Sequence, residues 1–275
     1  MGVGKLFRSW GDGLACILIP SSCVRCGPPI PDDGLPGLCR DCSAALRPFP
    51  AVGQCRVCAL PLERDPLAGR DRCRNCASSR VPYGRITALG DYEDVWGELV
   101  RALKYRGDRV VARGLGDMLA AQVLADAEGW YRSPADVIVP VPLSRRRRRE
   151  RGFNQAEDLS RPLAEGLGKP LRIAALRRRR EGERQVGKDR NARRKLGPGT
   201  FDADPRWVWG RRVLVVDDVV TTTATLRASA RALLWAGALE VTAAVVARTG
   251  CSADPQGFHL TGDSRIKGDP PSRKE

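Results

Sequence analysis

The sequence predicts an α/β fold in which helices flank a parallel sheet, preceded by a small cysteine-rich module. Three observations carry this. The apolar runs Val137-Ile138-Val139 and Val213-Leu214-Val215-Val216 read as strands buried on both faces. Each run passes through a constrained or polar loop into a stretch of helical spacing, the strand–loop–helix order of a parallel sheet. Ahead of them, eight of the ten cysteines form four C-x-x-C pairs.

The chain has 275 residues, room for one α/β domain and a smaller module. With 29% charged and 42% hydrophobic residues, it has the composition of a folded, soluble protein. The net charge is +15, and it is concentrated: residues 144–200 hold 19 Lys and Arg against 7 Asp and Glu. Such an excess suits a polyanion, pyrophosphate or nucleic acid. The plainer reading is a solvated, partly disordered loop, and part of the run is expected to be that. No eighteen-residue apolar run exists to span a membrane. The apolar stretch at residues 14–20 is too short to span and has no small-residue cleavage site after it, so the chain reads as cytoplasmic.

The cysteine pairs are Cys23/Cys26, Cys39/Cys42, Cys55/Cys58 and Cys73/Cys76. Two thiolates three positions apart grip one zinc ion from a tight knuckle, and two knuckles complete a tetrahedral Cys₄ site. Gly27 suits the knuckle turn, where a positive φ is useful. Disulfides would need an oxidising compartment, and a redox pair would need a thioredoxin-like βαβ context that is missing here. Two structural zinc ions are therefore expected. Four ligands per ion leave no position open for water, so these metals have no catalytic vacancy. They would let a Pro-, Gly- and Arg-rich segment fold without a large core. Spacing leaves the pairing open, because 12 residues separate Cys26 from Cys39 and also Cys42 from Cys55; sequential pairing is favoured over interleaving. Cys16 and Cys251 receive no role.

Beyond the cysteines, residues 85–92 read as a strand. Val95, Trp96, Leu99, Val100 and Leu103 follow at helical spacing, and Leu115, Met118, Leu119 and Val123 mark a second helix. Lys104 and Arg106 could reach a phosphate, but exposed helix-end cations are commoner. Residues 136–142 form a short apolar strand that must turn at Pro142. Then come Leu143, Ser144, the five arginines 145–149, and Arg151-Gly152-Phe153-Asn154-Gln155. Leu159, Leu163 and Leu167 carry a helix ending at Gly168. This is a phosphate-binding layout with guanidiniums able to grip phosphate oxygens in pairs. A last strand is expected at 241–247 and polar sequence from Thr249 onward. The only histidine, His259, lies in that tail, so histidine catalysis in the core is not expected.

The stretch after Val216 holds the sharpest signal. Asp217 and Asp218 stand where the strand would end, followed by Val219, Val220, Thr221, Thr222, Thr223, Ala224 and Thr225, then a helix stopped at Gly237. Two adjacent carboxylates can accept from vicinal ribose hydroxyls. The loop can offer N–H groups and hydroxyls to a phosphate, with the positive end of the helix dipole behind. In an open α/β sheet this is where ligands bind. The pattern resembles the phosphoribosyl-pyrophosphate (PRPP) loop of type I phosphoribosyltransferases. Thr223 stands where that pattern has Gly. It is expected to keep a negative φ and to offer its hydroxyl to the phosphate.

Pro140-Val141-Pro142-Leu143 with Arg151-Gly152-Phe153-Asn154-Gln155 resembles the ComF family, competence-associated phosphoribosyltransferase-like proteins with a preceding cysteine zinc ribbon. Leu103-Lys104-Tyr105-Arg106-Gly107-Asp108 matches as well, as does Gln185-Val186-Gly187 leading to Phe201, with Lys195 where Asn is usual. The resemblance implies a double zinc-ribbon module at 1–80, a type I phosphoribosyltransferase-like domain at 81–250 and a disordered tail at 251–275. It implies a PRPP site at Asp217, Asp218, Thr221, Thr222, Thr223, Ala224 and Thr225. It places a pyrophosphate-side loop at 141–151, with Val141, Pro142, Arg151 and Gly152, and a mobile loop at about 177–200. Zn²⁺ and Mg²⁺ with PRPP are the implied cofactors. The implied partners beyond PRPP are single-stranded DNA and a DNA-uptake helicase or other competence proteins. No residue declares itself as a general base, so no catalytic residue is assigned. Thr221 occupies the position where hypoxanthine and guanine salvage enzymes carry Asp, which argues against those bases as acceptors. The competing reading is a non-catalytic, single-stranded-DNA-binding accessory factor on the same fold. Few aromatics interleave with the arginines, so no base-stacking platform is visible.

Overall fold

The computed structural model describes residues 22–30, 35, 37–128, 135–179 and 199–250. Most of the loop expected at 177–200, the Gln185-Val186-Gly187 segment, Cys16, Cys251 and the tail lie outside them. In chain order, α1 (Arg40–Ala44) sits within the cysteine-rich segment. β1 (Ile86–Asp91), α2 (Val95–Arg106) and α3 (Arg109–Glu128) follow. β2 (Val137–Pro140) leads to α4 (Arg145–Arg151) and α5 (Gln155–Leu167). Then come β3 (Leu176–Arg178), β4 (Phe201–Ala203), α6 (Pro205–Val208), β5 (Arg212–Val220), α7 (Ala224–Trp235) and β6 (Glu240–Arg248).

Helix starts follow their caps. Asp94 accepts from Val95 N at 2.7 Å, Asp108 from Val110 N and Val111 N, and Asn154 from Ala156 N. Gly107 and Gly168 end α2 and α5 in the left-handed region. Gly116 lets α3 approach α5 closely: a Cβ there would lie 2.3 Å from the Pro162 ring.

β1, β6, β5 and β2 form, in that order, an all-parallel sheet. Alternation divides its side chains between two apolar layers. Leu89, Ile138, Leu214, Val216, Ala244 and Val246 pack with Leu99, Leu103, Leu115, Leu119, Leu159 and Leu163 of α2, α3 and α5. Val137, Val139, Val213, Val215, Ala243 and Val245 pack with Leu226, Ala230 and Leu233 of α7 and with Leu176 and Phe201 of the small antiparallel β3–β4 pair. Both faces are covered, which is why these strands read as continuous apolar runs.

Two expectations need correction. The arginine run 145–149 is not a loop: it forms α4, seeded by Ser144, whose hydroxyl accepts from Arg147 N, and closed at Gly152 with φ 78°. Counter-charges make this tolerable, since Arg146 pairs with Glu150 and Arg148 with Glu157. Second, β5 does not end at the acidic pair but runs on to Val220, because β6 continues to pair with it up to Val220↔Arg248. β2 stops at Pro140↔Val216, so the acids lie just beyond its end.

The open edge of β1 is covered by the cysteine-rich segment. Phe49 N donates to Leu89 O at 2.7 Å, and Ile86 N donates to Arg56 O at 3.0 Å. Between them the Gln54 side-chain amide stands in for a strand residue: its Nε2 donates to Ala88 O and its Oε1 accepts from Ala88 N, both at 3.0 Å. Cys23, Leu38 and Cys42 share the apolar layer that holds Trp96 and Leu99, and Trp96 Nε1 donates to Arg47 O. Among the described residues, no helix is long and apolar enough to cross a membrane.

Candidate functional site

The candidate site residues gather at the C-terminal ends of β2 and β5. Where β2 gives out, Val141 N still donates to Val216 O at 2.9 Å, and Pro142, which has no N–H, turns the chain away. The next residues of β5, Asp217 and Asp218, thereby face a notch. Asp218 Oδ2 lies 3.1 Å from Lys104 Nζ at the end of α2. Asp217 Oδ1 accepts from the Asp218 N–H at 2.9 Å. Burial first, and then the charge of Asp218, push the Asp217 carboxyl up to about 8, against the pull of Lys104 and Arg147.

Lys104 is thus held against the acidic pair rather than standing as an ordinary exposed helix-end cation. Its position in the Leu103–Asp108 motif was the signal that could have found it. Asn154 braces the same place. Buried at the start of α5, it donates from Nδ2 to Val141 O at 3.1 Å and ties the loop after β2 to the helix behind it.

Beyond β5, Thr221, Thr222, Ala224 and Thr225 are exposed around the N-terminus of the twelve-residue α7. Thr223 is different, and the expectation for it is overturned. Its φ is +58° and its ψ 0°, and its side chain is buried. The hydroxyl does not face outward as a phosphate donor; it accepts from Arg227 Nε at 3.0 Å. The reason is backbone shape: the turn from β5 into α7 needs a left-handed residue, the conformation Gly adopts most easily.

On the β2 side, α4 carries exposed guanidiniums at Arg145, Arg147 and Arg149. Arg151, half-buried, donates to Gln155 Oε1 at 3.1 Å. Gly152 serves the loop as the left-handed stop of α4, and a Cβ there would meet nothing within 4 Å. The basic helix and the threonine turn therefore flank the acidic pair through adjacent strands β2 and β5.

The eight paired cysteines form two groups, and the pairing is sequential: Cys23, Cys26, Cys39 and Cys42, then Cys55, Cys58, Cys73 and Cys76, with all sulfurs of a group within 4.8 Å of one another. None of the eight is in a disulfide. The Cys26–Cys39 and Cys58–Cys73 sulfur separations are 3.6 and 3.7 Å. A tetrahedron with Zn–S of about 2.3 Å has edges of about 3.8 Å, so both groups have the size a zinc ion requires.

A phosphoribosyl transferase domain model matches residues 120–269. DNA utilization protein YhgH of Escherichia coli O157:H7 is 32% identical over 177 residues, 64% of this chain and 78% of that protein. Competence protein ComFC of Bacillus subtilis strain 168 is 32% identical over 146 residues, 53% of this chain and 56% of that one. Among solved structures, a glutamine phosphoribosylpyrophosphate amidotransferase from B. subtilis, complexed with ADP and GMP, is similar over 49% of this chain and a quarter (25%) of its own length, with 26% identity and a TM-score of 0.36. The parallel sheet and the matched domain define a phosphoribosyltransferase-type fold. Within that class, with its two Cys₄ groups, the chain belongs to the ComF family.

Proposed function

We propose that the chain binds PRPP together with magnesium at the notch between β2 and β5 and transfers its phosphoribosyl group. The observation that carries this is the joining of the acidic pair to a threonine turn at the N-terminus of α7, with the basic α4 on the neighbouring strand. Thr221, Thr222, Ala224 and Thr225 would hold the 5′-phosphate through N–H groups and hydroxyls, aided by the helix dipole. Asp217 and Asp218 would accept from the ribose hydroxyls. Residues 141–144, Arg151 and the arginines of α4 would neutralise the pyrophosphate. In the reaction, the anomeric C–O bond breaks and pyrophosphate leaves with the bonding pair. The acceptor's lone pair then forms the new bond at the anomeric carbon. The nearby carboxylates favour the positive charge that develops on the sugar.

The carboxylate pair fits a divalent ion reached through water, and magnesium would add charge neutralisation of the pyrophosphate. The Cys₄ groups would each hold a structural zinc. Calorimetric titration of PRPP with Mg²⁺ into the full chain tests the site, and pyrophosphate release across bases and amines tests transfer. Saturable binding is expected; its absence in zinc-loaded protein would reject the reading.

A second reading, single-stranded-DNA binding without turnover, is favoured by the exposed arginines of α4. It predicts affinity that falls steeply with salt and little with sequence. Replacing Arg145, Arg147 and Arg149 with Gln should lower the salt slope by about 2 units, at roughly 0.7 per phosphate contact. An unchanged slope would show α4 to be a merely solvated face.

A further inference from the structure

We propose that Glu157 is a positioning residue: together with Asn154 it clasps residues 141–151, so that the turn after β2 and the basic helix α4 meet a bound pyrophosphate as one piece. The proposal rests on the reading of the notch as a PRPP site and says what sets its pyrophosphate side.

The chain leaves the sheet at Val141 and rejoins the packed layers at α5. A side chain closes this excursion at its base. Val141 N donates to Val216 O, just before Asp217, and Val141 O accepts from Asn154 Nδ2 at 3.1 Å. Asn154 is 2% exposed, and its amide is fully employed. Oδ1 accepts from Ala156 N, and Nδ2 donates to Glu157 Oε1 at 3.2 Å as well as to Val141. An Asn amide has two N–H groups, and these two acceptors take them.

Glu157 Oε1 accepts at the same time from Arg148 Nη1 at 3.1 Å. One carboxylate oxygen therefore joins the base of the excursion to the middle of α4. Glu157 stands three residues after the N-cap of α5, where an acid ordinarily returns to the N-cap backbone N–H. Here its side chain, 13% exposed, reaches across to another helix, which capping alone does not require. Arg151 adds a second clasp through Gln155 Oε1. A helix of seven residues, six of them arginine, has little stability of its own, so its placement depends on such contacts. Guanidiniums held in place before the ligand arrives need not be ordered on binding.

The test uses the full, zinc-loaded chain as wild type, Glu157→Gln, Glu157→Asp and Glu157→Met. PRPP and ribose 5-phosphate, which lacks the pyrophosphate, are each titrated with Mg²⁺. Gln keeps the acceptor oxygen without the charge, Asp keeps the charge and falls short of Arg148, and Met keeps neither. Asp and Met should weaken PRPP about five-fold or more and Gln less than about two-fold, with ribose 5-phosphate within about two-fold in all four. Met and Gln remove the same charge, so their difference reads the oxygen alone; loss of a negative charge by itself would tighten an anion. Unchanged PRPP affinity in Asp and Met, a Gln variant as weak as Met, or an equal fall for ribose 5-phosphate would overturn the proposal. If wild type binds neither ligand, the PRPP reading fails and the positioning role falls with it.

Discussion

Asp217 and Asp218 are neighbouring carboxylates in unlike surroundings. Asp218 has an ammonium 3.1 Å away, while Asp217 is held up at about 8 by burial and by Asp218. The double change Asp217→Asn, Asp218→Asn should lower PRPP affinity on the order of 100-fold or more, since two charge-assisted hydrogen bonds of roughly 1.5–3 kcal/mol each are lost, with the circular dichroism spectrum unchanged. Asp136 shows the opposite shift. Arg212 donates to it from Nη2 at 2.6 Å, from Nε and from its backbone N–H, and holds its carboxyl down to about 2. A depressed carboxyl stabilises the fold above its unfolded pKa, and that contribution is lost as pH falls through the folded value. Asp136→Asn should therefore lower the melting temperature at pH 7, and the gap to wild type should close between pH of about 4 and about 2. The residues singled out from sequence were those whose chemistry is local: an acidic pair, a threonine run, paired cysteines. The pairing of Lys104 with Asp218 was not legible, because it depends on a partner far along the chain; the motif marked Lys104 but not what it meets. Thr223 was misread because the turn's demand for positive φ is a property of the β5–α7 junction, not of threonine.

At the scale of elements, the four parallel strands and the helices α2, α3, α5 and α7 follow from runs and periodicity, which both layers of the core make good. The arginine run was harder. Like charges along one helix repel, so composition pointed to a loop, whereas a serine cap, a glycine stop and two glutamates decide for α4. The edge of β1 could not be read at all, since its partner is a side chain. Gln54 satisfies both Ala88 groups, and a Leu in its place would leave them buried and unpaired. At about 1–3 kcal/mol for each orphaned group, Gln54→Leu should destabilise the protein by roughly 2–6 kcal/mol in urea unfolding, with the slope unchanged.

Across the whole molecule, the cysteine-rich segment and the sheet are tied together. Cys23 and Cys42 belong to the apolar layer under α2 and α3, Arg248 Nε donates to Cys58 O at 2.6 Å, and Gln54 and Phe49 line β1. We propose that the regions on either side of residue 80 unfold as one unit when metal is bound. A single calorimetric transition is expected, and a strong chelator should lower its midpoint rather than split off a low-temperature step for residues 1–80. The covering of β1 has a consequence for handling the protein. A strand whose edge is guarded by a metal-folded segment keeps that guard only while the metal stays. Stripped of it, the chain would present the backbone groups of Ile86, Ala88 and Leu89 to any second chain, a template for intermolecular pairing. Preparations that lose metal should therefore cloud and form oligomers in proportion to concentration, and light scattering during chelation would follow it. The metal would then act as a guard against self-association as well as a support for the fold.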